Sequence, residues 1–346
     1  MAQEQYSRLD RFLHKMVLGS KVIQSTSFEL QRLLAPKLPK PDRPVFIVGM
    51  ARSGTTTLLN LLMETGEFES SRYRDLPLPL FPAFWRKVHK GLSLGNPPVQ
   101  RAHDDGILVS PDSPEAFEDV FWSHIGNRLP ENQAAEAFSH HISVTVAEKH
   151  CHRRYVSKNN NNICRLKLLQ QICQKYGGTI LIPIRDPLKT AESSLRMHRR
   201  FIKLQEEDPF VLEYMNLIGH HEFGKGLRWL EVGGKPFRSN YEPDKLECWL
   251  EYWIYIHKEI ESAEPNHLTI VDFDLLRSGD LKSRNLITKR CQIQKDHNAL
   301  FKHIKPDANG CNSHHDFQSK LLCNTAELIK RNIFKNTELA HIGSNV

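Results

Sequence analysis

The chain has 346 residues, 40% of them apolar, a formal net charge of +7 and seven cysteines. That is enough apolar chain for one sizeable core, which excludes a disulfide-stapled miniature scaffold and an extended disordered protein. No stretch approaches the roughly 20 apolar residues that span a bilayer, and no C-x-x-C pair occurs. The start, Met1-Ala2-Gln3-Glu4-Gln5, is polar, so a soluble cytoplasmic protein with free thiols and no signal peptide is expected. The positive balance suits an anionic ligand. The basic residues are spread through the chain without a DNA- or RNA-binding module, so nucleic acid is not an expected partner.

In chain order, residues 6 to 35 read as two amphipathic helices. Leu9, Phe12, Leu13, Met16 and Val17 mark the first, Phe28, Leu30, Leu33 and Leu34 the second, and Gly19-Ser20 the turn. Residues 1–40 are taken as a helical segment packed on a main α/β domain, 41–346; a dimerisation arm of a homodimer is the alternative. Prolines 36, 39, 41 and 44 stiffen the approach to a first strand. Val45 to Val48 is that strand, Gly49 to Gly54 a tight loop, and Thr55 onward a helix. Farther on, Ser113-Pro114-Glu115 predicts a helix start, with Ser113 as cap and Pro114 in first position. Residues 131 to 150 read as helical. Tyr155-Val156 is a strand end running into the polar Lys158-Asn159-Asn160-Asn161-Asn162, and Arg165 to Tyr176 is a helix stopped by Gly177-Gly178. Thr179 to Ile184 is a strand buried on both faces, and Leu188 to Arg200 a helix behind Asp186-Pro187. Val211 to Gly219 and Leu246 to Ile260 are helices, and Leu268 to Phe273 is a strand. Strands alternating with helices predict a parallel sheet flanked by helices.

The loop carries the chemistry. Glycines at 49 and 54 let the backbone approach an anion closely. Its N–H groups and the following helix N-terminus form an electropositive cradle. The hydroxyls of Ser53, Thr55, Thr56 and Thr57 are further donors, and Arg52 offers a forked cation suited to an oxygen pair. The spacing G-x-x-x-x-G is that of a nucleotide triphosphatase loop, but Thr55 stands where the lysine should be. No second-strand Asp is placed to hold Mg²⁺. A phosphate-bearing donor handled without a metal is expected. Cys311, His314 and His315 match no common zinc spacing.

Arg52-Ser53-Gly54-Thr55-Thr56 resembles the 5′-phosphosulfate loop of sulfotransferases that use 3′-phosphoadenosine 5′-phosphosulfate (PAPS). The second junction, Arg185-Asp186-Pro187 after the Thr179–Ile184 strand, is similar to the family's 3′-phosphate site. The resemblance implies that Arg185 and a serine eight positions later, Ser193, hold that phosphate, with Ser194 as the alternative. It covers most of the chain and is strongest at residues 44–62 and 179–201, with Tyr73-Arg74-Asp75, His103-Asp104-Asp105-Gly106 and Lys158-Asn159-Asn160 looking like a bacterial subgroup. It implies PAPS as donor, a hydroxylated acceptor and no metal.

In the chemistry so implied, a base shares the acceptor proton, and positive groups stabilise charge on the transferring and departing oxygens. Arg52 is placed for the second task. Asp75 is the best-placed carboxylate for the first, with an ion pair to Arg72 or Arg74 as its bland alternative. His103, beside Asp104, is the runner-up base. Lys158 is expected to reach the acceptor or Asp75. The Trp249/Trp253 stripe is read as core. A P-loop kinase-like phosphotransferase and a non-catalytic nucleotide- or nucleic-acid-binding protein are the competing readings.

Overall fold

Thr179–Ile184 is a strand along its whole length, and every residue in it is buried. This follows from its composition: an apolar, β-branched run has no polar face to show to water. Asp186, two residues on, accepts a hydrogen bond from the Lys189 N–H at 2.8 Å, and Pro187 opens the next helix at a position whose N–H would have no intrahelical partner.

The structure is a computed structural model that describes residues 8–35, 38–89, 99–100, 108–115, 117–147, 152–294 and 317–343. Its elements begin with α1 (Arg8–Leu18), α2 (Lys21–Leu34), β1 (Val45–Ile47), α3 (Thr55–Glu64) and β2 (Phe68–Glu69). Next come α4 (Pro82–His89), β3 (Val99–Gln100), β4 (Leu108–Val109), α5 (Glu118–His124), α6 (Glu131–Ala147) and β5 (Arg154–Lys158). Then follow α7 (Leu166–Tyr176), β6 (Thr179–Ile184), α8 (Pro187–Glu207), α9 (Pro209–Leu217) and α10 (Leu246–Ser262). The chain continues with β7 (Leu268–Asp272), α11 (Phe273–Ser278), α12 (Leu281–Arg290) and α13 (Phe317–Gly343). The architecture is α/β, a five-stranded parallel sheet flanked by helices.

Two compact units divide the chain. The first comprises Met1–Pro44, Gly66–Ser157 and Arg200–Arg228. In it β2 pairs in parallel with β5, with Phe68 opposite Arg154, and β3 with β4 antiparallel. The N-terminal helix α1 is tied to the start of α9: Arg11 grips Asp208 at 2.8 Å and Lys15 meets Glu213 at 2.7 Å. Glu69, at 1% side-chain exposure, is held between Arg72 at 2.9 Å and Arg153 at 3.1 Å. Arg74 pairs with Asp112.

The second unit comprises Val45–Thr65, Lys158–Arg199 and Trp229–Val346. Here β1 pairs with β6, Val45 opposite Thr179, and β6 with β7, Ile180 opposite Leu268, both in parallel. Helix α7 ends where Gly177 turns left-handed (φ +71°) and donates its N–H to the Cys173 carbonyl, as its glycine pair predicts. Trp249 and Trp253 of α10 are buried core residues, and Trp253 stacks on His257.

One predicted helix start is wrong. Helix α5 opens at Glu118, not after Ser113. The Ser113 hydroxyl accepts the Ser110 N–H at 2.9 Å, which closes a turn, and Pro114 bridges to Arg72. A serine bonding to its own neighbourhood competes with its use as a helix cap. Helix α8 also runs past Arg200, to Glu207.

Candidate active site

All the candidate donor-binding residues lie in the second unit. Its strands β1 and β6 end side by side, and the chain leaves each at its carboxyl end. That edge of a parallel sheet is where α/β proteins bind ligands, because the following helices point their N-termini there.

The loop after β1 is tied to itself. The Ser53 hydroxyl donates to the Met50 carbonyl at 2.7 Å, and Ser53 is 1% exposed. That bond holds the loop's shape. Arg52 holds a left-handed backbone (φ +74°), which costs an L-residue about 1–2 kcal/mol. Gly54 (φ +102°) caps α3. A Cβ there would lie 2.3 Å from the Phe273 ring, so only glycine fits. Thr55 is buried, and Thr56 and Thr57 are half-buried in the first turn of α3.

The second junction meets the first. Arg52 Nε donates to Ser193 Oγ at 2.9 Å, across 141 residues of sequence. Arg185 is half-buried, and its Nη1 reaches the Arg52 carbonyl in a long contact of 3.5 Å. Of the two candidate serines, Ser193 faces the loop, whereas Ser194 donates back to the Thr190 carbonyl at 2.8 Å. Arg52, Arg185 and Ser193 thus gather two guanidinium groups and a hydroxyl around two helix N-termini, an arrangement that fits a polyanion. Farther along α8, burial lowers the His198 pKa, and its ring lies against Trp249.

Sequence reasoning missed Asn160. The Asn run after β5 reads as a polar loop, and in the structure Asn160 is 6% and Asn162 0% exposed. Asn159 donates its N–H to the Ile47 carbonyl at 3.1 Å, and its side chain accepts the Asn161 N–H at 2.9 Å. Asn160 Oδ1 then accepts the Thr55 hydroxyl at 3.3 Å. The available signal was a polar run at the carboxyl end of a buried strand. Lys158, the last residue of β5, is 5% exposed in the same unit.

Asp75 belongs to the first unit. It is 2% exposed, sits in a 3₁₀ turn over Tyr73–Asp75, and its Oδ2 accepts the Arg72 N–H at 2.8 Å. The runner-up His103 lies outside the described residues, as do Cys311, His314 and His315. Among the described residues no group of three or more His, Cys, Asp or Glu side chains is placed to hold a metal, and no helix is long and apolar enough to cross a membrane.

The sulfotransferase family sequence profile matches residues 44–296. The chain belongs to the sulfotransferase family. As a sulfotransferase it shares its fold with sulfotransferase STF9 from Mycobacterium avium, at a TM-score of 0.50 and 11% identity over 93% of this chain and 83% of that one. Sulfotransferase STF1 from Mycobacterium tuberculosis H37Rv is similar at a TM-score of 0.46 and 11% identity, covering 92% and 84% of the two chains. The sulfotransferase domain from the curacin biosynthetic pathway gives 0.37 and 13%, over 84% and 99%. No curated protein sequence matches. Membership of this enzyme family, EC 2.8.2, displaces the kinase-like and non-catalytic readings.

Proposed function

We propose that this sulfotransferase moves a sulfuryl group from PAPS to an acceptor hydroxyl. A carbohydrate is the first acceptor to test, and a small hydroxylated lipid or metabolite the next. The observation that carries the reading is the 2.9 Å bond from Arg52 Nε to Ser193 Oγ. It brings together the loop suited to a 5′-phosphosulfate and the helix suited to a 3′-phosphate.

In this reading the N–H groups at the start of α3, with Thr55, Thr56 and Thr57, hold the 5′-phosphosulfate. Arg185 and Ser193 hold the 3′-phosphate. Arg52 sits between them and stabilises negative charge on the departing phosphate as the sulfur–oxygen bond to it breaks and the acceptor oxygen–sulfur bond forms. The acceptor proton passes to a base, Asp75 first and His103 second, and Lys158 orients the acceptor. The products are a sulfate ester and adenosine 3′,5′-bisphosphate.

Calorimetric titration with adenosine 3′,5′-bisphosphate in EDTA, with ATP in parallel, tests the donor assignment. Tight, metal-independent binding of the bisphosphate and weak binding of ATP are expected. ATP binding that needs Mg²⁺, with no preference for a 3′-phosphate, would overturn it. The base is tested separately. Asp75→Asn keeps an oxygen for the Arg72 N–H, so the turn should survive and donor affinity should stay at the wild-type value. Turnover should fall by a factor on the order of 10² to 10⁴, as for loss of a general base. A fully active variant transfers the role to His103.

A further inference from the structure

The N-terminus of α8 is braced from beneath. The Asp186 N–H donates to Asp274 Oδ2 at 2.6 Å. The same oxygen accepts from Lys330 Nζ at 3.4 Å. Asp274 is itself fixed: its N–H donates to Asp272 Oδ1 at 3.0 Å, the cap of α11. Lys330 comes from the middle of α13 and its side chain is 14% exposed, against 27% for Asp274. All four residues belong to the second unit.

This arrangement sets an electrostatic problem. The α8 N-terminus follows directly on Arg185, and the donor reading puts a phosphate there. Yet two carboxylates, Asp186 and Asp274, sit at the same helix end. Carboxylates are favourable beside a helix N-terminus, but each one repels an incoming phosphate. Nearby, Glu327 of α13 has its pKa raised, chiefly by burial, with Lys330 and Arg331 opposing and the charges of Asp186 and Asp274 adding. Lys330 is thus the cation that lies directly on the Asp274 carboxylate at this helix end.

We infer that Lys330 is a positioning residue of the donor site: through Asp274 it fixes the Asp186 backbone, and it cancels one of the two carboxylate charges at the helix end next to Arg185. The inference rests on the donor reading above. It makes α13, far along the chain from either phosphate-binding junction, part of what sets nucleotide affinity.

The test is calorimetry on the full chain with adenosine 3′,5′-bisphosphate and with AMP. Lys330→Met should weaken bisphosphate binding about tenfold, the size expected for one uncompensated charge near a partly buried site. AMP binding should change less. Lys330→Arg should stay near wild type. In Lys330→Met/Asp274→Asn the charge balance returns, and the Asn oxygen still accepts the Asp186 N–H, so affinity should recover most of the loss. Should Lys330→Met fold poorly, Asp274→Asn alone reads the same effect with opposite sign, as a gain in bisphosphate affinity. A role confined to helix packing gives no recovery in the double variant. That result, or an unchanged affinity in Lys330→Met, overturns the inference while leaving the donor reading intact. A wild-type protein without preference for the 3′-phosphate overturns both.

Discussion

Arg185→Ala is expected to weaken binding of adenosine 3′,5′-bisphosphate by up to about a hundredfold, the upper end for losing charge-assisted hydrogen bonds, while adenosine 5′-phosphosulfate loses far less. The reasoning starts from the junction. Strand β6 delivers Arg185 at its carboxyl end, and Asp186 and Pro187 fix the helix that follows. The bond that caps the helix comes from the Asp186 side chain, so the variant should keep the helix start and lose chiefly the grip. The donor that lacks a 3′-phosphate never used that grip. Arg185→Lys should fall between, because an ammonium keeps the charge but not the fork that matches two phosphate oxygens. Isothermal titration of both nucleotides against the three proteins decides the matter. Equal losses for the two nucleotides would refute the assignment of Arg185 to the 3′-phosphate.

How much of this site was legible beforehand depends on the range of the interaction. Local chemistry was readable. The glycines around Arg52 announce a loop, Thr179–Ile184 announces a buried strand, and Asp186-Pro187 announces a helix start; each signal lies within a few residues of what it specifies. The Ser193 position was readable only through the family resemblance, and the bond to Arg52 spans 141 residues. Asn160 was read only as part of a polar loop; its partner Thr55 is 105 residues away. Asp274 and Lys330 gave no local sign at all, since their meaning comes from Asp186, 88 residues before the first. The Ser113 error has the opposite origin: a strong local signal was outcompeted by another local one, the Ser110 N–H. The suggested ion pairs of Asp75 with Arg72 or Arg74 met a similar fate. Those two arginines pair with Glu69 and Asp112, and Asp75 instead accepts a backbone N–H.

Gly54→Ala tests the loop as Arg185→Ala tests the helix. Two penalties add. Gly54 has φ +102°, a conformation that L side chains rarely adopt, and forcing an L-residue into such a region costs about 1–2 kcal/mol. The new methyl would also lie 2.3 Å from Phe273 Cε2. Phe273 is buried at the start of α11, so its ring cannot swing into solvent. Either the ring or the loop must move, and a loop shift of that kind carries the N–H groups of α3 out of register with the phosphate. Bisphosphate binding should fall by well over tenfold, beyond what the backbone term alone supplies. Gly49→Ala is the control. Gly49 has no positive φ in the structure, and its added Cβ meets Ser53 Oγ at 3.3 Å, a contact that a small side-chain adjustment relieves. Its loss should be the milder of the two. A further variant separates the penalties: Gly54→Ala/Phe273→Leu relieves the clash but keeps the backbone strain, so it should recover part of the affinity and no more. Equal binding by the Gly49 and Gly54 variants would mean that the loop does not need its left-handed glycine to hold the nucleotide.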